Sequence, residues 1–493
     1  MNSDTQNNLI LLKSMIQKYG TKNYEVKQLD QILSKLFKAN ILVQITQDNR
    51  IIYSQDGVIL RMQMINYNYA SEQIQDTSKD FELLTNKEQI NYLYWQGEYD
   101  QNQQKGGKWT VIWKGEVLSQ VGGYYRYGLK QGQWCELIMN YWRNNRYQIY
   151  EIGEYYNDKK YGKWIYFHDN QKISGGWYNE NGQKNGKWNE LSDGFMNESQ
   201  VIYIGEYKNG KKIGIWNILY RWNKNQPFKK IGEGIYDQIG QIKIGRWIES
   251  SDDLFNRSQV LYFGQYKVGQ KVGKWDIYYA SEQIGGGLYD EENYGNKIEI
   301  WIELRDGFWW DSKVIYCGQY KNDKKVGRWD VLFKRTDSFS KYEQLGGGQY
   351  DEKGSFKFGS WTELSDGFSI NSKVIYKGEY KNDKKVGRWD IYYQETNYDQ
   401  FKQTGGGSYD ERGEGFKIGQ WIEISDGFEN DSKLTYKGDY KNGRKVGRWD
   451  SFWNWLGNKK IAEGYYDEKD SIKVGKWIEL IDGFSLLVSR IQR

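Results

Sequence analysis

Proline, histidine and cysteine are almost missing from this chain. Its 493 residues include one proline, one histidine (His168) and two cysteines (Cys135 and Cys317). A Cys-His or Ser-His-Asp nucleophile needs a histidine beside it, and a His/Cys metal cluster needs several ligands close together. Two distant cysteines cannot form a disulfide framework, which favours a reducing compartment. We therefore expect a cytoplasmic protein with no catalytic site, no metal site and no cofactor.

Long hydrophobic runs and a dominant charge are also lacking. No apolar stretch reaches the roughly 20 residues that cross a membrane, and the apolar run at residues 9–12 lacks a signal-peptide layout. The 70 basic and 65 acidic residues leave a net charge of +5, which is too small to recruit nucleic acid through a global field. We therefore expect no transmembrane segment, no secretion signal and no nucleic-acid partner.

Aromatic residues and glycine are abundant instead. Hydrophobic residues make up 38% of the chain, aromatic residues alone make up 17%, and there are 56 glycines. The apolar mass therefore lies in tyrosine and tryptophan, which suits a thin β structure that buries rings and turns tightly.

The chain is built from a tandem repeat. Residues 321–330 and 381–390 both read KNDKKVGRWD, and the wider pattern is Gly-x-aromatic, a polar stretch and then Gly-x-Trp. One copy departs from the pattern, because Glu299 stands where the glycine before Trp301 is expected. The fourteen template tryptophans are Trp109, Trp134, Trp164, Trp188, Trp216, Trp247, Trp275, Trp301, Trp329, Trp361, Trp389, Trp421, Trp449 and Trp477.

The copies alternate between two types. The first type has a short basic centre, as in YKGDYKNGRKVGRW (436–449). The second has a longer centre that opens with acid, as in GGGSYDERGEGFKIGQW (405–421), and a connector containing Asp-Gly-Phe follows it. A pair of copies repeats every 60 residues, from Trp329 to Trp389 and from Trp389 to Trp449. Such periodicity is typical of a solenoid, whose units contact only their neighbours.

Each copy is predicted to form a β-hairpin. In residues 376–393, period-two alternation gives one face of rings and glycines and one mostly charged face. The glycines would leave room for a neighbouring ring to lie flat on the backbone. After Trp421 the isoleucines have the opposite parity, so either a bulge follows this residue or both faces are partly apolar. The repeat positions in the two types are Gly378, Tyr380, Gly387 and Trp389, and Gly407, Tyr409, Gly419 and Trp421.

The predicted fold is an all-β repeat, an elongated single sheet of stacked hairpins over residues 91–477. Residues 1–90 lack the pattern and would form an α+β capping or docking region. Apolar spacing predicts two short helices there, over residues 5–19 and 23–38, and alternation predicts strands over residues 41–46, 50–54 and 58–64. Residues 478–493 would cap the other end.

The repeat resembles a known family. The MORN pattern is Tyr-x-Gly-x-Trp, Asn-Gly and then a His-Gly-x-Gly step, and the fragment YKGEYKNDKKVGRW (376–389) is similar to it. Tyr376, Gly378 and Gly387 match, whereas Val386 replaces the histidine. Tyr380 takes the position of the Trp in the pattern, and Trp389 follows Gly387 where a second glycine is usual.

A variant of this family is more similar still. In MORN-variant repeats, named after bacterial antitoxin proteins, the pattern reads Asn-Gly-Lys-x-x-Gly-x-Trp, and residues 207–216 (YKNGKKIGIW) match it. The resemblance covers about residues 91–477. It implies a non-catalytic scaffold for protein–protein interaction and, in some members, association with membrane lipid.

Tryptophans found in single copies are the candidate partner-binding residues. Trp309 and Trp310 occupy one connector, where the sister connectors carry Ser-Ile and Glu-Asn. Trp222 lies in an extended segment, residues 221–230. Tryptophan is enriched at binding hot spots, and changes specific to one copy often mark the binding face of a repeat protein. A local plug in the core is the alternative for each.

Three functions remain open at this stage. The leading hypothesis is a scaffold for protein partners of unknown identity, with cytoskeletal or membrane association left open. The second is weak peripheral binding to anionic lipid. Alternation of basic tips (Lys384, Lys385) with acidic tips (Asp351, Asp410) opposes the continuous basic stripe that such binding favours. The third is an aromatic cage for quaternary ammonium or sugar, suggested by the ring-rich residues 162–178.

Overall fold

The computed structural model describes most of residues 21–475. The residues within that range that it does not describe are 31–34, 47–49, 56–57, 65–86, 103, 139–148, 170, 193–194, 196–198, 252–259, 293–294, 336–340, 354–355, 397–398, 426–427, 429–432, 454–457 and 469–470. The predicted first helix (5–19) and the predicted C-terminal cap (478–493) lie outside the described residues. The chain divides into two compact units, Met1–Leu261 and Tyr262–Arg493.

The first unit begins with a small antiparallel sheet of four strands in sequential order. Its strands are β1 (Thr21–Asp30), β2 (Lys35–Ile45), β3 (Arg50–Gln55) and β4 (Val58–Met64), and a short helix, α1 (Lys87–Tyr92), follows. Arg61 holds α1 against this sheet, because its guanidinium donates to the carbonyl oxygens of Ile90 (3.2 Å) and Leu93 (2.7 Å). The strands predicted over residues 41–46, 50–54 and 58–64 are confirmed.

The predicted helix over residues 23–38 is wrong. Backbone pairing in β1 and β2 is continuous from Thr21 opposite Gln44 to Asp30 opposite Lys35. Apolar residues at helical spacing suggested the helix, but propensity is weak over so short a segment. The segment also contains Thr, Tyr and Val, which favour strands, and pairing with the neighbouring strand decides the outcome.

The hairpin array follows in both units, as predicted. From β5 to β16 in the first unit, each strand pairs antiparallel with the next. These strands are β5 (Leu93–Tyr99), β6 (Lys105–Trp113), β7 (Glu116–Arg126), β8 (Leu129–Leu137), β9 (Ile149–Tyr156), β10 (Lys159–His168), β11 (Gln171–Tyr178), β12 (Lys184–Leu191), β13 (Gln200–Lys208), β14 (Lys211–Arg221), β15 (Lys229–Tyr236) and β16 (Lys243–Ser250).

The second unit repeats this arrangement. Strand β17 spans the division between the units, and from β18 to β32 each strand pairs antiparallel with the next. The strands are β17 (Val260–Lys267), β18 (Gln270–Tyr279), β19 (Glu282–Tyr289), β20 (Lys297–Leu304), β21 (Lys313–Lys321), β22 (Lys324–Lys334), β23 (Glu343–Tyr350), β24 (Lys357–Leu364), β25 (Lys373–Lys381), β26 (Lys384–Gln394), β27 (Lys402–Tyr409), β28 (Lys417–Ile424), β29 (Leu434–Lys441), β30 (Arg444–Trp453), β31 (Lys459–Tyr466) and β32 (Lys473–Val474).

Each template tryptophan in the described residues lies flat on a glycine of the adjacent strand. A Cβ on Gly378 would collide with the ring of Trp389, and a Cβ on Gly407 would collide with the ring of Trp421. The glycine of Gly-x-Tyr therefore makes room for a ring, as predicted. Trp389 also donates from its indole nitrogen to the carbonyl oxygen of Glu379 at 3.1 Å.

Tryptophan and tyrosine rings alternate along the sheet in an edge-to-face column, which we call the aromatic column of each unit. Tyr380 and Trp389 have ring centroids 5.2 Å apart at 86°, and Trp389 and Tyr409 follow at 6.3 Å and 80°. Edge-to-face pairs place a positive ring edge against a negative ring face, which is the favoured geometry for aromatic side chains. The column is therefore the core of a sheet that is only one layer thick.

The second glycine of each copy has a different role from the predicted one. Gly387 has φ 59° and Gly419 has φ 63°, and neither lies under a ring. Near Gly387 the pairing between β25 and β26 shifts register: Lys377 pairs with Asp390, whereas Glu379 pairs with Val386. Glycine is needed here for a left-handed backbone at a β-bulge.

The question left open after Trp421 is settled by the strand register. Strands β28 and β29 pair without a shift, with Trp421 opposite Gly438 and Glu423 opposite Tyr436. Glu423 therefore lies on the same face as the rings, and Ile422 and Ile424 are half-buried on the other face. Both faces are partly apolar, and the bulge precedes Trp421.

Glu299 should be a source of strain. It stands at the bulge position and has φ 60°, whereas Gly359, its counterpart in the next second-type copy, has φ 66°. A left-handed backbone costs a residue with a Cβ about 1 kcal/mol or more. We expect Glu299→Gly to raise the free energy of unfolding by about 1 kcal/mol, measured as a higher urea midpoint. The matched reverse change, Gly359→Glu, should lower the midpoint, and a neutral Glu299→Gly would contradict the explanation.

Candidate functional site

Lysine side chains cover the rings of the aromatic column. The lysine four residues before each template tryptophan in the described residues places its ammonium over the ring, at 3.9 to 4.7 Å from the centroid. These rings are only 0–6% exposed. Lys160 lies just before the segment that suggested an aromatic cage (residues 162–178), and its ammonium is 4.0 Å from the ring centroid of Trp164 and 5.8 Å from that of Tyr178. The protein's own ammonium thus occupies the place that a ligand cation would take.

The same lysines surround a carboxylate that the sequence analysis did not assign. Glu363 accepts hydrogen bonds from Lys357 (2.6 Å) and from the hydroxyl of Tyr380 (2.9 Å), and it lies 3.0 Å from Lys385. Equivalent groups of one glutamate, two lysines and one tyrosine are Glu136 with Lys130, Lys160 and Tyr155; Glu190 with Lys184, Lys212 and Tyr207; Glu303 with Lys297, Lys325 and Tyr320; and Glu423 with Lys417, Lys445 and Tyr440. Two sequence signals would have found these groups: a lysine four residues before the tryptophan, as in Lys-x-Gly-x-Trp, in both types, and Trp-x-Glu in the second.

These groups are stable as ion pairs. Burial raises the pKa of Glu363, but the charges of Lys385 and Lys357 and their hydrogen bonds outweigh it, so the pKa lies below its ordinary value. Burial also raises the pKa of Tyr380, so this phenol stays protonated and donates. The carboxylates are therefore structural rather than free acids or bases.

The hairpin tips carry less free charge than the sequence suggested. Lys385 belongs to the aromatic face rather than to the tip, because it lies 4.0 Å from the centroid of Trp389. The carboxylates of Asp351 and Asp410 accept hydrogen bonds from backbone amides of their own loops, including those of Phe356 (2.9 Å) and Phe416 (2.6 Å). The remaining tip charges, such as Lys384, are exposed.

His168 and the two cysteines have structural surroundings. His168 is buried, with its ring edge-on to Phe195 at 5.8 Å. Cys135 is buried in an apolar cluster, where burial raises the pKa of its thiol to about 12, and burial also raises the pKa of the half-buried Cys317. Within the described residues, no group of three or more His, Cys, Asp or Glu is placed to hold a metal ion. No helix there has the length and apolar character needed to span a membrane.

The connectors after second-type copies each contain a turn and a phenylalanine whose side chain is buried against the sheet. The amide of Phe368 donates to the carbonyl oxygen of Ser365 (3.0 Å), which closes the turn of Asp-Gly-Phe. The ring of Phe368 then packs edge-on against Phe333, with centroids 5.4 Å apart. Phe428 packs in the same way on Tyr393, at 5.1 Å. Each such phenylalanine fixes its connector to the sheet.

Successive connectors are also bonded to each other. The guanidinium of Arg305 donates to the carbonyl oxygens of Ser365 (2.5 Å) and Asp366 (2.8 Å). The hydroxyl of Ser312 donates to the carbonyl oxygen of Phe368 at 2.8 Å. The amide of Ile370 donates to the carbonyl oxygen of Asp311 at 2.9 Å. The connector over residues 305–312 is therefore held at both ends.

Trp310 is exposed on this fixed connector. Trp309 and Ser312 form a short bridge, with the Ser312 amide donating to the Trp309 carbonyl at 3.0 Å. Trp309 is half-buried, whereas 43% of Trp310 is exposed. Of the two predicted residues, Trp310 is thus the one available to a partner.

Trp222 lies in the first unit and is half-buried after the end of β14. The preceding Arg221 lies 4.3 Å from the ring centroid of Phe228 and donates to Gln200 at 2.7 Å. Trp222 therefore follows a residue that is packed at the base of its loop, and its side chain is less exposed than that of Trp310.

The lysine–glutamate groups predict how stability depends on pH. A carboxylate whose pKa is lowered by folding stabilises the fold above its unfolded pKa of about 4.3, and this contribution is lost as pH falls through the folded pKa. Glu363→Gln should therefore lower the free energy of unfolding at pH 7 by about 1–3 kcal/mol. The gap between variant and parent should narrow below about pH 4. Urea titrations from pH 3 to 7 measure this, with Glu411→Gln on an exposed tip as control, and a gap independent of pH would contradict it.

The family of the chain is not established by comparison. No protein-family model matches the chain, and no curated protein matches it in sequence. The structure bears out the coarser part of the resemblance, a repeated array of β-hairpins with regular strand pairing.

Proposed function

We propose that this chain is a non-catalytic scaffold that binds protein partners, built from repeats related to MORN repeats. The residues that recur along the array serve the aromatic column and the bulge and, in second-type copies, the lysine–glutamate groups. The residues that differ between copies include those exposed on the connectors and on the other sheet face. This division suits a constant core that presents a variable surface.

Trp310 carries the proposal. A tryptophan side chain has roughly 250 Å² of surface, and 43% of Trp310 is exposed. Burying the remaining ~100 Å² under a partner would contribute about 2–3 kcal/mol. That is the size of an interface hot spot. The connector is already fixed by Arg305 and Ser312, so little order has to be gained on binding.

The relation to MORN repeats also rests on geometry. The Gly378 position, which matches the family pattern, accommodates a ring from the next strand. The Gly387 position supplies the left-handed bulge residue. The chain departs from the MORN pattern at Trp389, yet it keeps the two glycines for which a physical need is visible. A cytoplasmic location is part of this proposal and rests on cysteine usage alone.

Anionic lipid is the second candidate. The observation that favours it is at the tips, where Lys381 and Lys384 are exposed while the Asp351 and Asp410 carboxylates bond to backbone amides. Exposed glutamates such as Glu411 on the alternate tips still interrupt a basic stripe. The aromatic cage is disfavoured because lysines cover the rings.

Trp310→Ala should remove the partner. The full chain serves as bait in native lysate, with captured proteins quantified by mass spectrometry. A loss of about 2 kcal/mol corresponds to roughly 30-fold weaker binding, so the specific partner should fall by at least tenfold. The matched control is Trp177→Ala, which truncates a tryptophan that is also exposed but lies on strand β11.

Two outcomes would contradict the proposal. One is a partner retained equally by the parent and by Trp310→Ala. The other is a folded bait that captures no protein but sediments with phosphatidylserine vesicles at low salt, which would favour the lipid candidate.

A further inference from the structure

Three exposed isoleucines form a row on the first unit, on the sheet face opposite the aromatic column. Ile215 on β14 is directly opposite Ile235 on β15, and Ile235 is directly opposite Ile244 on β16. Their side chains are 58%, 40% and 37% exposed. Ile242, which immediately precedes β16, is also exposed. We call these four residues the isoleucine patch.

The patch exists because one copy departs from the repeat. The residue before the first-type tryptophan is basic in the other copies (Lys108, Lys163, Lys274, Arg328, Arg388 and Arg448). In the second unit this cation belongs to a polar row: Arg388 donates to Asp390 at 2.7 Å, and Gln403 donates to the same carboxylate at 2.8 Å. In the departing copy, isoleucine replaces the cation and Asn217 replaces the aspartate.

The rim of the patch is positively charged. Lys208, Lys211 and Arg246 are exposed beside it. The negative charges of the nearby acidic residues are balanced by lysines. Glu233 pairs with Lys230 at 2.5 Å, and Glu206 is directly opposite Lys187 on the neighbouring strand. An apolar centre with a cationic rim is complementary to an aliphatic surface that has acidic flanks.

The pairing of the strands and the length of the patch favour a helix over a strand as its binding partner. Strand β14 is hydrogen-bonded to β13 and β15, and β15 is hydrogen-bonded to β14 and β16, so neither can accept an added strand. The row crosses three strands, a distance of about 10 Å. Apolar side chains at positions i, i+4 and i+7 of a helix span about 10.5 Å. The patch holds no tryptophan or tyrosine, the residues enriched where proteins meet a membrane surface.

We propose that the isoleucine patch docks an amphipathic helix of a partner protein, with an aliphatic stripe bordered by acidic residues. A second copy of this chain is disfavoured because two cationic rims would face each other. The site does not involve Trp310, so its test is separate from that of the scaffold proposal.

The test uses the full chain and a labelled synthetic helix with leucines at i, i+4 and i+7 and glutamates on both flanks, followed by fluorescence anisotropy. A second peptide has lysine in place of every glutamate. The parent should bind the acidic peptide at least tenfold more tightly than the basic one. Ile215→Lys restores the charge usual at this position and should weaken binding of the acidic peptide at least tenfold.

Two controls keep the result interpretable. Ile472→Lys changes an exposed isoleucine of the second unit and should leave binding unchanged, as should Trp310→Ala. The near-ultraviolet circular dichroism of Ile215→Lys should match that of the parent. Ile235→Thr, a milder change in the same row, should weaken binding in the same direction and serves if Ile215→Lys does not fold.

Several outcomes would overturn the proposal. These are no binding of the acidic peptide, equal binding of both peptides, and equal binding by Ile215→Lys. Self-association of the chain that Ile215→Lys abolishes would assign the patch to a second copy. Binding to phosphatidylserine vesicles that depends on Ile215, without binding of the peptide, would assign it to a membrane.

Discussion

A tryptophan ring lying flat on a glycine is the contact on which the rest of the structure depends. A one-layer sheet has no second layer to bury its apolar face, so each ring must be covered by its own neighbours. The missing Cβ at Gly378 lets the Trp389 ring approach the backbone, tyrosines pack edge-on at both sides, and Lys385 covers the top. Repetition of this contact gives each unit a continuous core.

The lysines link the core to the electrostatics of the chain. Each covers a ring and, where a second-type glutamate is present, pairs with its carboxylate, as Lys357 does with Trp361 and Glu363. The rings on the aromatic face are therefore covered by the chain's own lysine side chains. The connectors and the opposite face, where the exposed Trp310 and Ile215 depart from the repeat, are the surfaces that we propose for partners.

Sequence reasoning predicted the hairpins, their ring-bearing face and the glycine under each ring, because period-two alternation and the Gly-x-Tyr spacing carry that information directly. It did not assign the role of Gly387, because a left-handed φ and a close approach of a ring both require glycine, and the sequence alone does not distinguish them. It predicted a helix over residues 23–38, where strands β1 and β2 pair, because pairing between strands is not visible in a short apolar pattern. It placed Lys385 at the hairpin tip, because the strand register that puts this residue on the aromatic face is not visible in the sequence. It also interpreted the glutamate of Trp-x-Glu as part of a connector. The exposure of Trp310 depends on how connectors stack 60 residues apart, which local patterns do not encode.

The most direct measurement compares Gly378→Ala with Gly387→Ala in urea unfolding of the full chain. Both add one methyl group to the same hairpin, but only the first would meet the Trp389 ring. The account predicts a loss of about 3 kcal/mol for Gly378→Ala, from overpacking against a fixed ring, and of about 1 kcal/mol for Gly387→Ala, from backbone strain. Equal losses, or a tolerated Gly378→Ala, would contradict the claim that the ring–glycine contact holds the repeat together.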